Sequence, residues 1–142
     1  VQLVIAGSPG WQNEPIFKRL STSPLKHRLK HIGYVEPRDK PLLYQAAELF
    51  VYPSFYEGFG FPIIEAMACA TPMITSNRSS LPEIAGRNAY FINPNKPHTI
   101  AEGICRILNS AQLKNRLIAE GLAQSALYSW TKAATDFLRI LK

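Results

Sequence analysis

Short apolar runs alternate along the chain with stretches in which apolar residues recur every three to four positions. The runs at residues 2–6, 30–34, 49–53, 73–75 and 90–92 predict strands. Helices are predicted over 14–21, 40–47, 62–69 and 81–85. Pro62 and Pro82 fall where a first helical turn tolerates proline, because an N–H there has no acceptor within the helix. After Asn93-Pro94-Asn95 the strand pattern stops, and 99–108, 111–126 and 131–141 read as helices. Strands separated by helices of about ten residues require parallel crossovers, with helices covering both faces. The expected fold is α/β: an open, doubly wound parallel sheet with helices at its C-terminal end.

A chain of 142 residues, 46% of them hydrophobic, can bury one sizeable core, and 18% charged residues argue against disorder. One domain over residues 1–142 is expected. No apolar run approaches the roughly 20 residues of a membrane span. Cys69 and Cys105 have no CxxC or zinc-ligand spacing, so a disulfide scaffold and a metal module are both disfavoured and a reducing cytoplasm fits. The chain opens as Val1-Gln2-Leu3-Val4-Ile5-Ala6-Gly7, a strand pattern without Met, and is expected to be a piece of a longer protein.

The net charge of +6 is unevenly spread. The two ends are basic, whereas the middle carries Glu48, Glu57, Glu65 and Glu83 against Arg78, Arg87 and Lys96. A basic shell around a carboxylate-bearing centre suits an anionic ligand or an anionic surface. A nucleic-acid-binding module is the rival reading, but the aromatics cluster beside glutamates instead of interleaving with Lys and Arg. No nucleic-acid partner is expected.

In a doubly wound sheet, ligands bind beyond the carboxyl ends of strands, where loops enter helix N-termini. The loop running from Tyr52 to Glu65 leaves the most apolar strand in this way. Gly58 and Gly60 permit close backbone approach, and the helix that follows presents unpaired N–H groups suited to a phosphate. Glu57 and Glu65 flank that turn, and a carboxylate can accept two hydrogen bonds from adjacent sugar hydroxyls. Together they describe a phosphate with a sugar on each side, as in a nucleotide sugar. At this level a plainer reading stands beside it: Glu57 complementing a helix dipole, Glu65 a solvated helix charge, and Phe55, Tyr56, Phe59 and Phe61 packing.

The run Glu57-Gly58-Phe59-Gly60-Phe61-Pro62-Ile63-Ile64-Glu65, followed by Ala66-Met67-Ala68-Cys69-Ala70-Thr71-Pro72, resembles the E-x7-E region of retaining GT-B glycosyltransferases of family four. Gly33-Tyr34-Val35 resembles that family's nucleobase-lining loop. The segment from Leu42 to Ser54, the segment from Thr75 to Ile84, and Ser129-Trp130 match in order and spacing. The resemblance implies a Rossmann-like domain forming the C-terminal, donor-binding half of a GT-B fold. It implies that Glu57 and the backbone of Gly58, Phe59, Gly60 and Phe61 face the donor sugar and diphosphate, and that Glu65 meets the ribose. It implies retaining transfer of a hexose, mannose or glucose first, from a GDP- or UDP-sugar to a glycan or lipid-linked acceptor, in the cytoplasm or peripherally on the membrane's inner face. No cofactor and no metal are implied. The alternative within the same fold is a nucleotide-sugar epimerase or hydrolase.

Two departures qualify the resemblance. Ala70 replaces the family's usual glycine and is expected only to tighten the turn. The family's phosphate-binding Arg and Lys, the domain's first strand and the acceptor domain all lie upstream of Val1, so this chain is expected to hold a donor without catalysing transfer alone. Other candidates carry less. His27 and His31 are expected on the surface, and Cys69 and Cys105 on apolar helix faces in the core. The basic C-terminal helices, with Arg106, Lys114, Arg116, Lys132, Arg139 and Lys142, are expected to be a solvated face; docking on an anionic membrane is a second use for them.

Overall fold

A computed structural model describes residues 1–141. The chain divides into two compact units, Val1–Lys40 and Pro41–Lys142. In the first unit, strand β1 (Leu3–Ala6) leads through helix α1 (Glu14–Thr22) and a single 3-10 turn at Lys26–Arg28 into strand β2 (Leu29–Gly33). The strands pair in parallel, with Leu3 opposite Leu29 and Ile5 opposite His31. His31 departs from its expected surface role. It is half-buried, meets the Phe17 ring edge-on at 5.0 Å, and donates from Nε2–H to the Gly7 carbonyl at 2.9 Å. A carbonyl only accepts, so this contact also fixes the tautomer.

The second unit contains helix α2 (Lys40–Ala46, whose first residue closes the first unit), β3 (Phe50–Tyr52), α3 (Phe61–Ala68), β4 (Met73–Ser76), α4 (Leu81–Ala85), β5 (Tyr90–Ile92), α5 (Pro97–Leu108), α6 (Ala111–Ser125) and α7 (Trp130–Ile140). The strands β3, β4 and β5 lie parallel in that order. Every residue of β4 is buried, so its alternating side chains serve two cores. On one side Met73 joins Ile63, Ala66, Met67, Leu81 and Ile84; on the other, Ile74 joins Ile92, Ile107 and Leu117. This is the doubly wound arrangement, and the α/β, parallel expectation holds. Within the first unit the ladder is β1-β2, and within the second it is β3-β4-β5.

Small residues let the helices approach. A Cβ on Gly103 of α5 would lie 2.9 Å from the Tyr90 ring, and one on Gly121 of α6 would lie 3.3 Å from Met67 Cγ. The helix starts follow local chemistry, with Pro62 and Pro82 in their first turns as expected. Ser110 and Ser129 cap α6 and α7 by accepting the N–H of Leu113 and Lys132. No residue of α7 is buried, and Trp130 stacks on Phe61 with ring centres 6.2 Å apart. Among the described residues no helix is long and apolar enough to cross a membrane.

Two expectations about packing fail. Cys105 is exposed and Cys69 only partly buried. The buried stripe of α5 runs through Gly103 and Ile107, and Cys105 falls off it. Ala70 does more than tighten a turn: it sits at φ +58°, in the left-handed region that favours glycine.

Candidate functional site

The loop between β3 and α3 is held by its neighbours through its carbonyls. The Ser79 hydroxyl donates to the Glu57 carbonyl at 2.5 Å and accepts the Glu57 N–H at 3.3 Å. The Ser80 hydroxyl lies within reach of two carbonyls, Glu57 at 3.0 Å and Phe59 at 2.9 Å. Ser76, fully buried, donates to the Ser54 carbonyl at 2.5 Å. All three serines lie on β4 or the turn between β4 and α4, so the core strand fixes the loop. Among the described residues, the amides of Gly58, Phe59 and Gly60 donate to no protein acceptor. They lie at the N-terminus of α3, where the helix dipole favours negative charge. Gly60 caps that helix at φ +105°, a conformation that needs glycine.

The two carboxylates are half-buried, and a tyrosine grips each. The Tyr52 hydroxyl donates to Glu57 Oε1 at 2.5 Å, and the Tyr44 hydroxyl donates to Glu65 Oε2 at 2.9 Å. Burial first, then the hydrogen bond to the carboxylate, pushes both phenols far above their ordinary range. Both therefore stay protonated donors at any working pH. Burial and the nearby Glu65 also raise the Cys69 thiol, which leaves it a poor nucleophile.

The structure thus brings together Glu57, Gly58, Phe59, Gly60, Phe61 and Glu65 in one loop and the first turns of one helix. Phe59 packs against Phe61 at 4.8 Å and edge-on against Tyr128 at 6.0 Å, whereas Phe55 and Tyr56 are 65% and 80% exposed. The first pair therefore packs and the second faces outward. Gly33, Tyr34 and Val35 belong to the first unit: Gly33 ends β2 at φ +70°, Tyr34 is exposed and Val35 half-buried. Among the described residues no three of His, Cys, Asp and Glu converge to hold a metal ion.

Sequence reading missed the two tyrosines and the serines. Tyr52 stands five residues before Glu57 on the same strand exit, a spacing that hints at contact. Nothing local links Tyr44 to Glu65, 21 residues apart, or Ser79 to Glu57, 22 apart.

The chain has counterparts among known proteins. A family model described as "Glycosyl transferases group 1" matches residues 1–124. The chain belongs to the group 1 glycosyltransferases. It is 37% identical over 140 residues to the O-antigen chain mannosyltransferase B of Escherichia coli, covering 99% of this chain and 37% of that relative. A solved sucrose-phosphate synthase from Thermosynechococcus elongatus superimposes with a TM-score of 0.88 at 28% identity, covering 99% of this chain and 37% of the other. The crystal structure of Anabaena HepE in complex with UDP and glucose gives a TM-score of 0.90 at 19% identity, covering 99% of this chain and 40% of that one. The chain therefore spans little more than a third of the curated relative it matches, and the fold is that of GT-B glycosyltransferases.

Proposed function

We propose that this chain is the donor-binding half of a retaining GT-B hexosyltransferase that takes its sugar, mannose first, from a nucleotide diphosphate sugar. One observation carries the reading. Glu57 and Glu65 flank a glycine turn whose carbonyls are tied back by serines and whose amides have no protein acceptor. The mannosyltransferase relative supports the choice of sugar, and HepE, crystallised with UDP and glucose, supports the class of donor. A polysaccharide or lipid-linked glycan is the acceptor, held by the part of the enzyme that this chain does not span.

Each residue has a role in that reaction. The amides of Gly58, Phe59 and Gly60, at the helix start, meet the diphosphate and stabilise the charge that grows as it leaves. Glu57 accepts a hydroxyl of the transferred sugar, and Glu65 accepts the ribose diol. In the transfer, the sugar C1–O bond breaks and its electron pair goes to the diphosphate. The acceptor oxygen bonds C1 on the same face, and its proton passes to the departing diphosphate oxygen. No side chain of this chain acts as general base. The reaction needs no metal in this reading, because main-chain N–H groups and basic side chains carry the diphosphate charge. The enzyme works in the cytoplasm, peripherally at the membrane where its acceptor is lipid-linked.

Saturation-transfer NMR with UDP, GDP, ADP and their glucose and mannose conjugates tests the reading. Signal on the ribose and on one base, lost in Glu65→Ala, is the expected result. In the intact enzyme Glu57→Ala should depress turnover strongly. Glu65→Ala should weaken nucleotide affinity by about 1.5–3 kcal/mol, the range for a hydrogen bond to a charged group. Near-wild-type kinetics in both variants would overturn the assignment.

A further inference from the structure

Tyr44 and Tyr52 are anchored in the same way at both ends. The main-chain carbonyl of Tyr44 accepts the Thr71 hydroxyl at 2.8 Å, and that of Tyr52 accepts the Thr75 hydroxyl at 3.0 Å. Both threonines are buried, at 4% and 0% exposure. Phe50 stands between the two tyrosine rings, edge-on to Tyr44 at 5.1 Å and stacked on Tyr52 at 5.8 Å. The three rings form one continuous rack on β3 and α2, with one phenol on Glu65 and the other on Glu57. Offset and edge-to-face ring contacts of this kind resist rotation of either ring.

We propose that Tyr52 and Tyr44 are positioning residues of the donor site, acting through Glu57 and Glu65 and fixing both carboxylates from a single aromatic rack. The proposal rests on the functional reading above. Its chemical content is directional. With Oε1 pinned by Tyr52, Glu57 offers Oε2, which no protein group engages among the described residues. A single aimed oxygen grips one sugar hydroxyl, so Glu57 selects by the position of that hydroxyl and not by a bidentate clasp. At the ribose end Tyr44 holds Glu65 Oε2 and so sets the orientation of that carboxylate.

The test uses the full-length enzyme that carries this chain, with GDP-mannose and UDP-glucose as donors and GDP and UDP as binding probes. Tyr52→Phe should lower kcat on the order of ten- to a hundredfold while KM for the donor moves less than about threefold. Tyr44→Phe should instead weaken the free nucleoside diphosphate by about tenfold, with a small change in kcat. A double-mutant cycle separates positioning from general structure. In a Glu57→Ala background Tyr52→Phe should have no further effect, and in a Glu65→Ala background Tyr44→Phe should have none. Where Tyr52→Phe fails to fold, Phe50→Leu is the second variant: it removes the ring stacked on Tyr52 and so loosens the phenol's aim at Glu57, with the same kcat loss expected and none further in the Glu57→Ala background. Equal losses in both backgrounds would overturn the proposal, because the phenols would then act on the fold alone. Wild-type kinetics in both Phe variants, with the Glu variants disabled, would also overturn it while leaving the donor site standing. If Glu57→Ala and Glu65→Ala are themselves without effect, the functional reading falls and the positioning role falls with it.

Discussion

A Cβ placed on Gly60 would lie 2.9 Å from Leu81 Cδ2, so the turn that opens α3 is fitted directly against the first residue of α4. Leu81 is fully buried in a cluster with Ile63, Met67 and Met73 and has nowhere to retreat. Gly60 also holds φ at +105°. Gly60→Ala therefore combines left-handed strain with overpacking and should destabilise the fold by about 2–4 kcal/mol in urea denaturation. Gly58 is the control, because open space surrounds the position its Cβ would take. Gly58→Ala should change stability by less than about 1 kcal/mol while weakening nucleotide-sugar binding. Equal destabilisation by both substitutions would contradict this geometry.

Ala70 supplies a second backbone test. The Thr71 N–H reaches back to the Ala66 carbonyl and the Ala70 N–H to the Met67 carbonyl, each at 3.0 Å. This is the Schellman pairing that ends helices, and it places Ala70 where glycine is usual. Ala70→Gly removes the Cβ strain but adds freedom to the unfolded chain. The net expectation is a gain of about 1 kcal/mol, or a melting point higher by about 3–5 °C. A lower melting point would show that the alanine is unstrained.

The elements that the sequence made legible are those with local causes. Strand β5 and helix α4 fall on residues 90–92 and 81–85 as predicted, because an apolar run and a first-turn proline mark them. Helix α5 begins at Pro97, two residues before the predicted start, since Pro97 itself opens the first turn. The loop and its two glutamates were visible because glycines, aromatics and acids crowd one strand exit. What holds them was not visible. Tyr44, Thr71, Thr75, Ser79 and Ser80 reach their partners across 21 to 27 residues, through a parallel sheet whose register no local pattern encodes. The same blindness explains His31 and Cys105. Spacing alone cannot say that Phe17 and the Gly7 carbonyl meet the first, or that the second falls off the buried face of α5.

The half-buried phenols of Tyr44 and Tyr52 give the protein an alkaline limit. Their pKa values in the fold are raised above the ordinary value of 10, so the folded state holds these protons more tightly than the unfolded chain does. That contribution is fully present below about pH 10 and is lost as pH climbs from there toward the folded values. Stability measured by urea melts should fall with pH in that window, and the fall should be shallower in the Tyr44→Phe/Tyr52→Phe double variant. Absorbance at 295 nm should show those two phenols ionising only with unfolding. Free titration of both near pH 10 in the folded protein would contradict their hydrogen bonds to Glu65 and Glu57.

Ser79 separates strain from hydrogen bonding within the site itself. It adopts φ +55° and uses one hydroxyl to hold both the carbonyl and the N–H of Glu57. Ser79→Ala removes the hydroxyl and keeps the left-handed backbone, so it should lose about 1 kcal/mol, the net value of a hydrogen bond. Ser79→Gly removes the same hydroxyl but relieves the backbone, and the two effects should offset to within about 0.5 kcal/mol. Both variants should nonetheless weaken donor binding equally, because each releases the main chain of Glu57. Thermal denaturation read beside nucleotide titration distinguishes the cases. If the glycine variant bound donor as tightly as wild type, the serine would hold the fold and not the site.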